Sequence, residues 1–341
     1  MDQTVLVTGG SGFVASHCLV QLLEQGFSVR TTIRDMNKKD RVKNSLKNAG
    51  IHEHHKLTFI EADLLKDENW DSAMIGCDYV LHVASPIFLR LPKNEDEMIK
   101  PAVEGTIRVL RAATLAGVKR VVMTSNFGAI GYSHKDHTRK INESDWTNPD
   151  EKGLSIYNKS KVLAERAAWQ FIDENLGVLE LSVVNPMGIF GPALDSALSS
   201  GYGLLKQLMD GSMKRLPDIR LGIVDVRDVA DLHIKAMLNP NAKGERFLAL
   251  SGGTMSLLEI AQLLKQEMPS YTQKTSVKPL PNWLLTLVAF FSDKAKAIKP
   301  LVGVYREASN DKARKKLGWK PRSNKEAILS SARCLVENGE V

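Results

Sequence analysis

The sequence predicts an α/β fold, a doubly wound parallel sheet of Rossmann type with a smaller, mostly helical C-terminal substrate lobe. Three observations carry this. Short apolar runs alternate with longer amphipathic patterns through residues 1–125, the signature of strands and helices in turn. A Gly-rich turn joins the first apolar run to the first helical pattern, as in dinucleotide-binding units. Residues 257–341 are rich in helical periodicity.

Taken in order, Val5–Val7, Val29–Ile33, Leu57–Ile60, Tyr79–Val83 and Val121–Met123 read as strands separated by amphipathic segments, one of them Leu65–Met74. A helix is expected from near Ser155 to about Asn175, with Val162, Leu163, Ala167 and Phe171 as its apolar stripe and Gly177 as its stop. Leu179–Val184 is the next strand. Residues 188–216, richer in Gly, Ser and Pro, read as loops and short helices outside the sheet. Leu221–Val226 then reads as a strand, Val229–Leu238 as a helix and Phe247–Ala249 as a strand. The expected division is a dinucleotide-binding domain of residues 1–187, to which 221–253 returns, and a substrate lobe of 188–220 and 254–341.

At 341 residues, with 43% hydrophobic and 25% charged residues, the chain has the composition of an ordinary globular protein. Its net charge of +7 is spread along the chain and comes with no groove-reading motif, so no nucleic-acid partner is expected. Cys18, Cys77 and Cys334 suggest neither a disulfide framework nor a paired metal motif. A cytoplasmic, reducing location follows as the expectation, since no charged-then-apolar leader precedes the first strand. The apolar run Trp283–Phe291 is too short to span a bilayer, so no membrane partner is expected. His52, His54 and His55 sit in a polar linker and are read as surface residues, so no metal site is expected. His134 and His137 belong to a polar stretch that either touches substrate or forms plain surface.

The turn from Thr8 through Gly9 and Gly12 to Phe13, Val14 and Ala15 suits a pyrophosphate. Gly9 permits a sharp bend, and Gly12 lets an anion approach backbone N–H groups at a helix N-terminus. About 20 residues beyond the turn, where an acidic residue would grip the ribose of NAD, stands Arg34. With Lys38, Lys39 or Arg41 it can pair with a 2′-phosphate, so the expected cofactor is NADP(H). Asp63, followed by Leu64, can accept from an adenine amino group, cap a following helix, or do both. Tyr157 and Lys161 are four apart on a predicted helix and share a face. An ammonium beside a phenol stabilises the phenolate, so Tyr157 can give a proton to a carbonyl and recover it.

Together with the Gly-rich turn, the segments Asp63-Leu64, His82-Val83-Ala84-Ser85-Pro86, Thr124-Ser125, Tyr157-x-x-x-Lys161 and Asn185-Pro186 occur in the order found in extended short-chain dehydrogenases/reductases. The chain resembles most the branch of dihydroflavonol reductases, cinnamoyl-CoA reductases and microbial aldehyde or ketone reductases. Val226-Arg227-Asp228-Val229-Ala230 and Lys316-Leu317-Gly318-Trp319-Lys320-Pro321 extend the likeness over nearly the whole length.

The resemblance implies that Tyr157 is the proton donor and that Lys161 binds the nicotinamide ribose while tuning that tyrosine. It places Thr124, Pro186, Gly188 and Ile189 at the nicotinamide end, and Val83, Ala84 and Ser85 along the ribose and pyrophosphate path. Relatives usually read Thr-Ser-Ser after strand 5, where this chain has Thr124-Ser125-Asn126. Asn126 occupies the slot of the serine that polarises the substrate carbonyl, and its carboxamide can donate likewise; Ser125 is the alternative. The expected partner is a small carbonyl substrate. A nucleotide-sugar epimerase or dehydratase of the same fold, or a non-catalytic NADP(H) sensor, is the competing reading. Phe127, Ile130, Phe190 and Tyr202 are either pocket wall or core.

Overall fold

The computed structural model describes residues 3–86, 94–136, 138–175, 177, 179–195, 199–281, 283–285 and 298–341. In chain order the strands are β1 (Thr4–Val7), β2 (Ser28–Ile33), β3 (Leu57–Glu61), β4 (Tyr79–His82) and β5 (Arg120–Thr124). They continue as β6 (Glu180–Pro186), β7 (Gly188–Phe190), β8 (Arg220–Asp225), β9 (Glu245–Ala249) and β10 (Thr254–Ser256). Seven of them build one sheet in the order β3-β2-β1-β4-β5-β6-β9. Every neighbouring pair in it is parallel. The chain steps outward from β1 to β3 and then crosses back to β4, so a crevice opens between the C-terminal ends of β1 and β4, where ligands of such sheets bind.

The central strands are apolar on both faces because both are covered. Val5 and Val7 of β1 enter the core beneath α1 (Phe13–Glu24), whereas Leu6 between them enters the core of the opposite face. Val122 of β5 likewise faces one way, and Val121 and Met123 the other. This is the two-residue period of a strand buried on both sides. The second face is closed by α4 (Asp96–Leu115) and α5 (Ile156–Glu174). The first is also covered by α7 (Val226–Leu238), reached after α6 (Ser200–Met209).

A third core, containing Phe190, Tyr202, Ile223, Leu257 and Ile328, lies outside the large sheet. It joins α6 to α8 (Leu257–Glu267) and to the C-terminal helix Asn324–Glu337 around the small sheet β10-β8-β7. Phe190 and Tyr202 are buried there, and Phe127 and Ile130 are buried in a fourth cluster, so these four are core.

Three elements differ from expectation. Only Trp70–Met74 of the expected 65–74 helix forms, as α3, because Asn69 adopts φ +69° and breaks the helical path ahead of it. Within 188–216 a short strand, β7, precedes α6. Arg220–Asp225, expected to return with 221–253 to the large sheet, pairs instead with β7 and β10, since the edge of β6 is taken by β9. Of the apolar run Trp283–Phe291, residues 286–291 lie outside the described residues, as does His137. Among the described residues no helix is long and apolar enough to cross a membrane.

Candidate active site

The crevice between β1 and β4 is shaped by the Gly-rich turn. Gly9 has φ +73°, and a Cβ there would meet the Cβ of Ala84 at 3.0 Å, so the backbone of the turn lies directly on the β4 loop. Gly10, not singled out by the sequence, is needed for packing: a Cβ would fall 2.2 Å from Thr31 Oγ1. Gly12 meets only the carbonyl of Gly9, at 3.2 Å, and begins α1 with no side-chain cap and no acid in the first turn. A helix start left bare in this way keeps its N–H groups and positive dipole end for an anion.

At the end of β2, Arg34 is exposed and Lys38 half-buried, and neither forms an ion pair among the described residues. Asp35 turns away to accept from the Asn37 N–H. Arg41 is committed elsewhere, with a two-point contact to Asp195 at 2.9 and 3.2 Å that Ser45 reinforces. Lys39 lies 5.5 Å over the Phe59 ring. Of the four basic candidates, Arg34 and Lys38 therefore have their charge available. Asp63 accepts from the Leu65 N–H with one oxygen, a turn rather than a helix cap, which leaves the other oxygen open. Phe13 packs edge-on against Tyr202 at 6.0 Å, tying α1 to the third core.

Thr8 organises the loop after β4. Its Oγ1 accepts from the N–H groups of Val83 and Ala84 at 3.0 and 2.9 Å, so its proton faces His82 Nδ1 at 3.1 Å. Burial and the nearby Lys161 push the His82 imidazole down to about 3, which keeps it neutral. Thr124 is held in a similar way. His233 gives its Nδ1 proton to the Val229 carbonyl and accepts from the Thr124 hydroxyl at Nε2, at 2.7 Å, and burial pushes it down to about 4. Both histidines are interior props that the sequence reading did not identify.

Ser155 caps α5 through the Asn158 N–H, which sets the register of Tyr157 and Lys161. Tyr157 is 50% exposed and Lys161 only 8%. The Lys161 ammonium donates to Ser85 Oγ at 3.0 Å and lies 5.9 Å from the centre of the Tyr157 ring. Beneath Lys161 a cavity of about 10 Å³ is bounded by His82, Thr106 and Thr124, far too small for a substrate.

Ser125 Oγ and Asn126 Oδ1 are both buried with no hydrogen-bond partner among the described residues, and Asn126 Nδ2 reaches Asn158 Oδ1 on α5 only at 3.4 Å. Gly128 makes room for this pair, since a Cβ there would clash with both asparagine side chains. Behind them runs a buried polar chain. Arg246 donates to Glu165 at 2.6 Å, Glu165 accepts from Asn185 at 2.8 Å, and Asn185 donates to the Asn126 carbonyl at 3.2 Å. The sequence carried a sign of it: Tyr157, Lys161 and Glu165 are spaced four apart, placing a carboxylate on the buried stripe. Pro186 ends β6, and Gly188 and Ile189 begin β7 across the same sheet end. His52 and His55 are exposed, His55 lying 3.4 Å from Glu53, whereas His54, also expected at the surface, is half-buried with its Nε2 covered; the described residues contain no cluster able to hold a metal ion.

Residues 6–247 match the 3-beta hydroxysteroid dehydrogenase/isomerase family. A cinnamoyl-CoA reductase of Medicago truncatula, CAD2, is 34% identical over 275 residues, 79% of this chain and 82% of its own. A (2S)-flavan-3-ol-forming anthocyanidin reductase of Vitis vinifera is 34% identical over 298 residues, 82% of this chain and 85% of its own. Yeast methylglyoxal/isovaleraldehyde reductase Gre2, solved as its NADPH complex, superposes with a TM-score of 0.81 at 26% identity, covering 99% of this chain and 100% of its own. Sequence order, sheet topology and these likenesses agree: the chain belongs to the extended short-chain dehydrogenases/reductases, in the branch of the dihydroflavonol and cinnamoyl-CoA reductases.

Proposed function

We propose that this chain, an NADP-dependent oxidoreductase, reduces the carbonyl of a small aldehyde, ketone or related substrate, with Tyr157 as the proton donor. The observation that carries the reading is the contrast within one helical turn. Tyr157 offers its ring to the cleft, while Lys161 is buried beside it with its ammonium aimed at the end of β4. The residues present fit the cofactor: a bare helix start and an open Gly12 suit a pyrophosphate, and Arg34 with Lys38 suits a 2′-phosphate. Thr8, Val14, Leu64, Val83, Ala84 and Ser85 would line its path, with Pro186, Gly188 and Ile189 at the nicotinamide end. When bound, NADPH supplies the hydride. The protein's own part is to orient the carbonyl, polarise its oxygen and deliver a proton to it from the Tyr157 hydroxyl. Segments 188–220 and 254–341 would form the lobe that closes over the substrate.

An NADPH-oxidation screen over aromatic aldehydes, aliphatic ketones, dihydroflavonols and acyl-CoA thioesters tests the reading. Turnover of at least one class is expected. Tight NADPH binding with no oxidation by any class would instead favour the sensor or epimerase alternatives.

The 2′-phosphate assignment predicts at least a tenfold preference for NADPH over NADH in kcat/KM, about 1.4 kcal/mol. Arg34→Ala is expected to erase it, chiefly through KM for NADPH. Equal use of the two cofactors by the unaltered protein would refute the role given to Arg34.

Asn126 is the proposed carbonyl-polarising group. Exchanging O and N in both amides keeps the Asn126–Asn158 contact and leaves the Asn126 NH₂ as its buried, unpartnered end, a donor for a carbonyl oxygen seated against it. Asn126→Ala is then expected to lower kcat by roughly one to two orders of magnitude, with Asn126→Ser retaining much activity. A severe Ser125→Ala beside a mild Asn126→Ala would reassign the role to Ser125.

A further inference from the structure

Residues 304–307 run beside the loop that follows Tyr132. The Ile141 N–H donates to the Glu307 carbonyl, and the Ser309 N–H to the Ile141 carbonyl, each at 2.9 Å. On the other side of Arg306, Tyr305 donates its hydroxyl to Asp218 at 2.6 Å. Arg306 is thus carried on backbone pinned at both flanks. Its guanidinium lies 4.3 Å over the ring of Tyr132 and pairs with no carboxylate among the described residues. Arg306 is half-buried, and burial lowers its pKa, with Tyr132 opposing the effect in part and no carboxylate doing so. An unpaired arginine in open water is ordinary, but a desolvated one has lost hydration without gaining a counter-ion.

The space beside it is a cavity of about 670 Å³, within the range of small-molecule sites. His134 also lines it: its side chain is 7% exposed, Nδ1 faces Asp145 at 3.5 Å, and Nε2 has no partner among the described residues. The acids on this wall do not neutralise Arg306. Asp136 is engaged by Thr138 and Arg139, and Glu307 makes no ion pair with it. Tyr132 packs on Phe127, which follows Asn126 in the chain, and Met187, which follows Pro186, joins the same apolar cluster. Tyr132 thus links the cavity wall to residues that adjoin the proposed reaction centre.

We propose that this cavity receives an anionic group of the substrate, a carboxylate or phosphate held by Arg306 against Tyr132, so that preferred substrates are carbonyl compounds bearing an acidic group. The inference rests on the carbonyl-reductase reading above. A guanidinium with one face on an aromatic ring keeps its edge N–H groups for a two-point contact with a planar or tetrahedral oxyanion. Lys140 in the cavity lining adds positive potential that draws an anion inward, whereas Lys135 lies 4.0 Å from Glu151.

The test compares kcat/KM for 4-carboxybenzaldehyde, (4-formylphenoxy)acetate and 4-formylphenyl phosphate with that for the neutral methyl 4-formylbenzoate. The native enzyme should favour at least one anionic aldehyde by tenfold or more, through KM. The same ratio should fall to near one in Arg306→Gln and lie between in Arg306→Lys. The phosphate and carboxylate arms identify which oxyanion is taken. Reduction of the ester with no preference for any anion, or a preference that Arg306→Gln leaves intact, overturns the anion site and spares the reductase reading. Absence of reduction across the set counts against the reductase reading. Calorimetric titration of the NADP⁺ complex with 4-carboxybenzyl alcohol and with benzyl alcohol decides the site independently of turnover. Tighter binding of the acid that Arg306→Gln abolishes is expected, and equal binding of the two alcohols overturns the proposal.

Discussion

Tyr157→Phe is expected to lower kcat by on the order of 10² to 10⁴ while leaving NADPH affinity nearly unchanged, the range that general acid catalysis contributes. Phenylalanine keeps the ring and removes only the hydroxyl that would protonate the developing alkoxide. Because Tyr157 is half exposed on the cleft, its loss opens no cavity in the core. Lys161→Met should also abolish turnover but should weaken cofactor binding as well. The buried ammonium reaches Ser85 at the end of β4, where the nicotinamide ribose is proposed to lie. NADPH fluorescence titration paired with single-turnover oxidation separates the two effects. Near-native turnover by Tyr157→Phe would mean that the helix pair is structural and the proposed mechanism wrong.

Glu165→Ala carries the second large effect, on stability. Glu165 is fully buried, and its carboxylate accepts from Arg246 and from Asn185. Removing it leaves the Arg246 guanidinium buried beneath Trp146, whose ring lies 3.7 Å away, without its hydrogen-bonded carboxylate. Breaking one side of a buried ion pair costs about 3–5 kcal/mol, whereas replacing both partners with apolar residues of similar volume is often neutral. Glu165→Ala should therefore shift the urea midpoint strongly, and Glu165→Leu combined with Arg246→Met should recover much of the loss. The double variant is still expected to be catalytically impaired, since Asn185 loses the acceptor that orients it toward the Asn126 carbonyl. A shift below about 1 kcal/mol in Glu165→Ala would show that this chain is not a structural brace.

Local chemistry made much of the architecture readable in advance. The apolar runs of β1, β4 and β5 could be recognised because strands covered on both faces have no polar side to interrupt them. The start of α5 at Ser155 was readable because an N-cap is a property of a few adjacent residues. The shortening of the expected 65–74 helix was not, because it turns on a single positive φ at Asn69. Nor was the transfer of β8 to the small sheet: an apolar run specifies a strand but not its neighbour, and that was decided by β9 occupying the edge of β6.

The same division holds at the site. By itself the sequence determined the Gly-rich turn after β1 and the Tyr157–Lys161 spacing on one helical face, because each depends on residues within a turn or two of one another; Asn126 in place of a serine stood out only against the family it resembles. Only the tertiary structure decided which charges are available. Arg41 is neutralised by Asp195, 154 positions away, while Arg34 is not. His82 and His233 are kept neutral by burial, and Arg306 is brought over Tyr132 without a carboxylate. Charge state and desolvation depend on what surrounds a group in three dimensions, and those neighbours come from segments far apart in the chain.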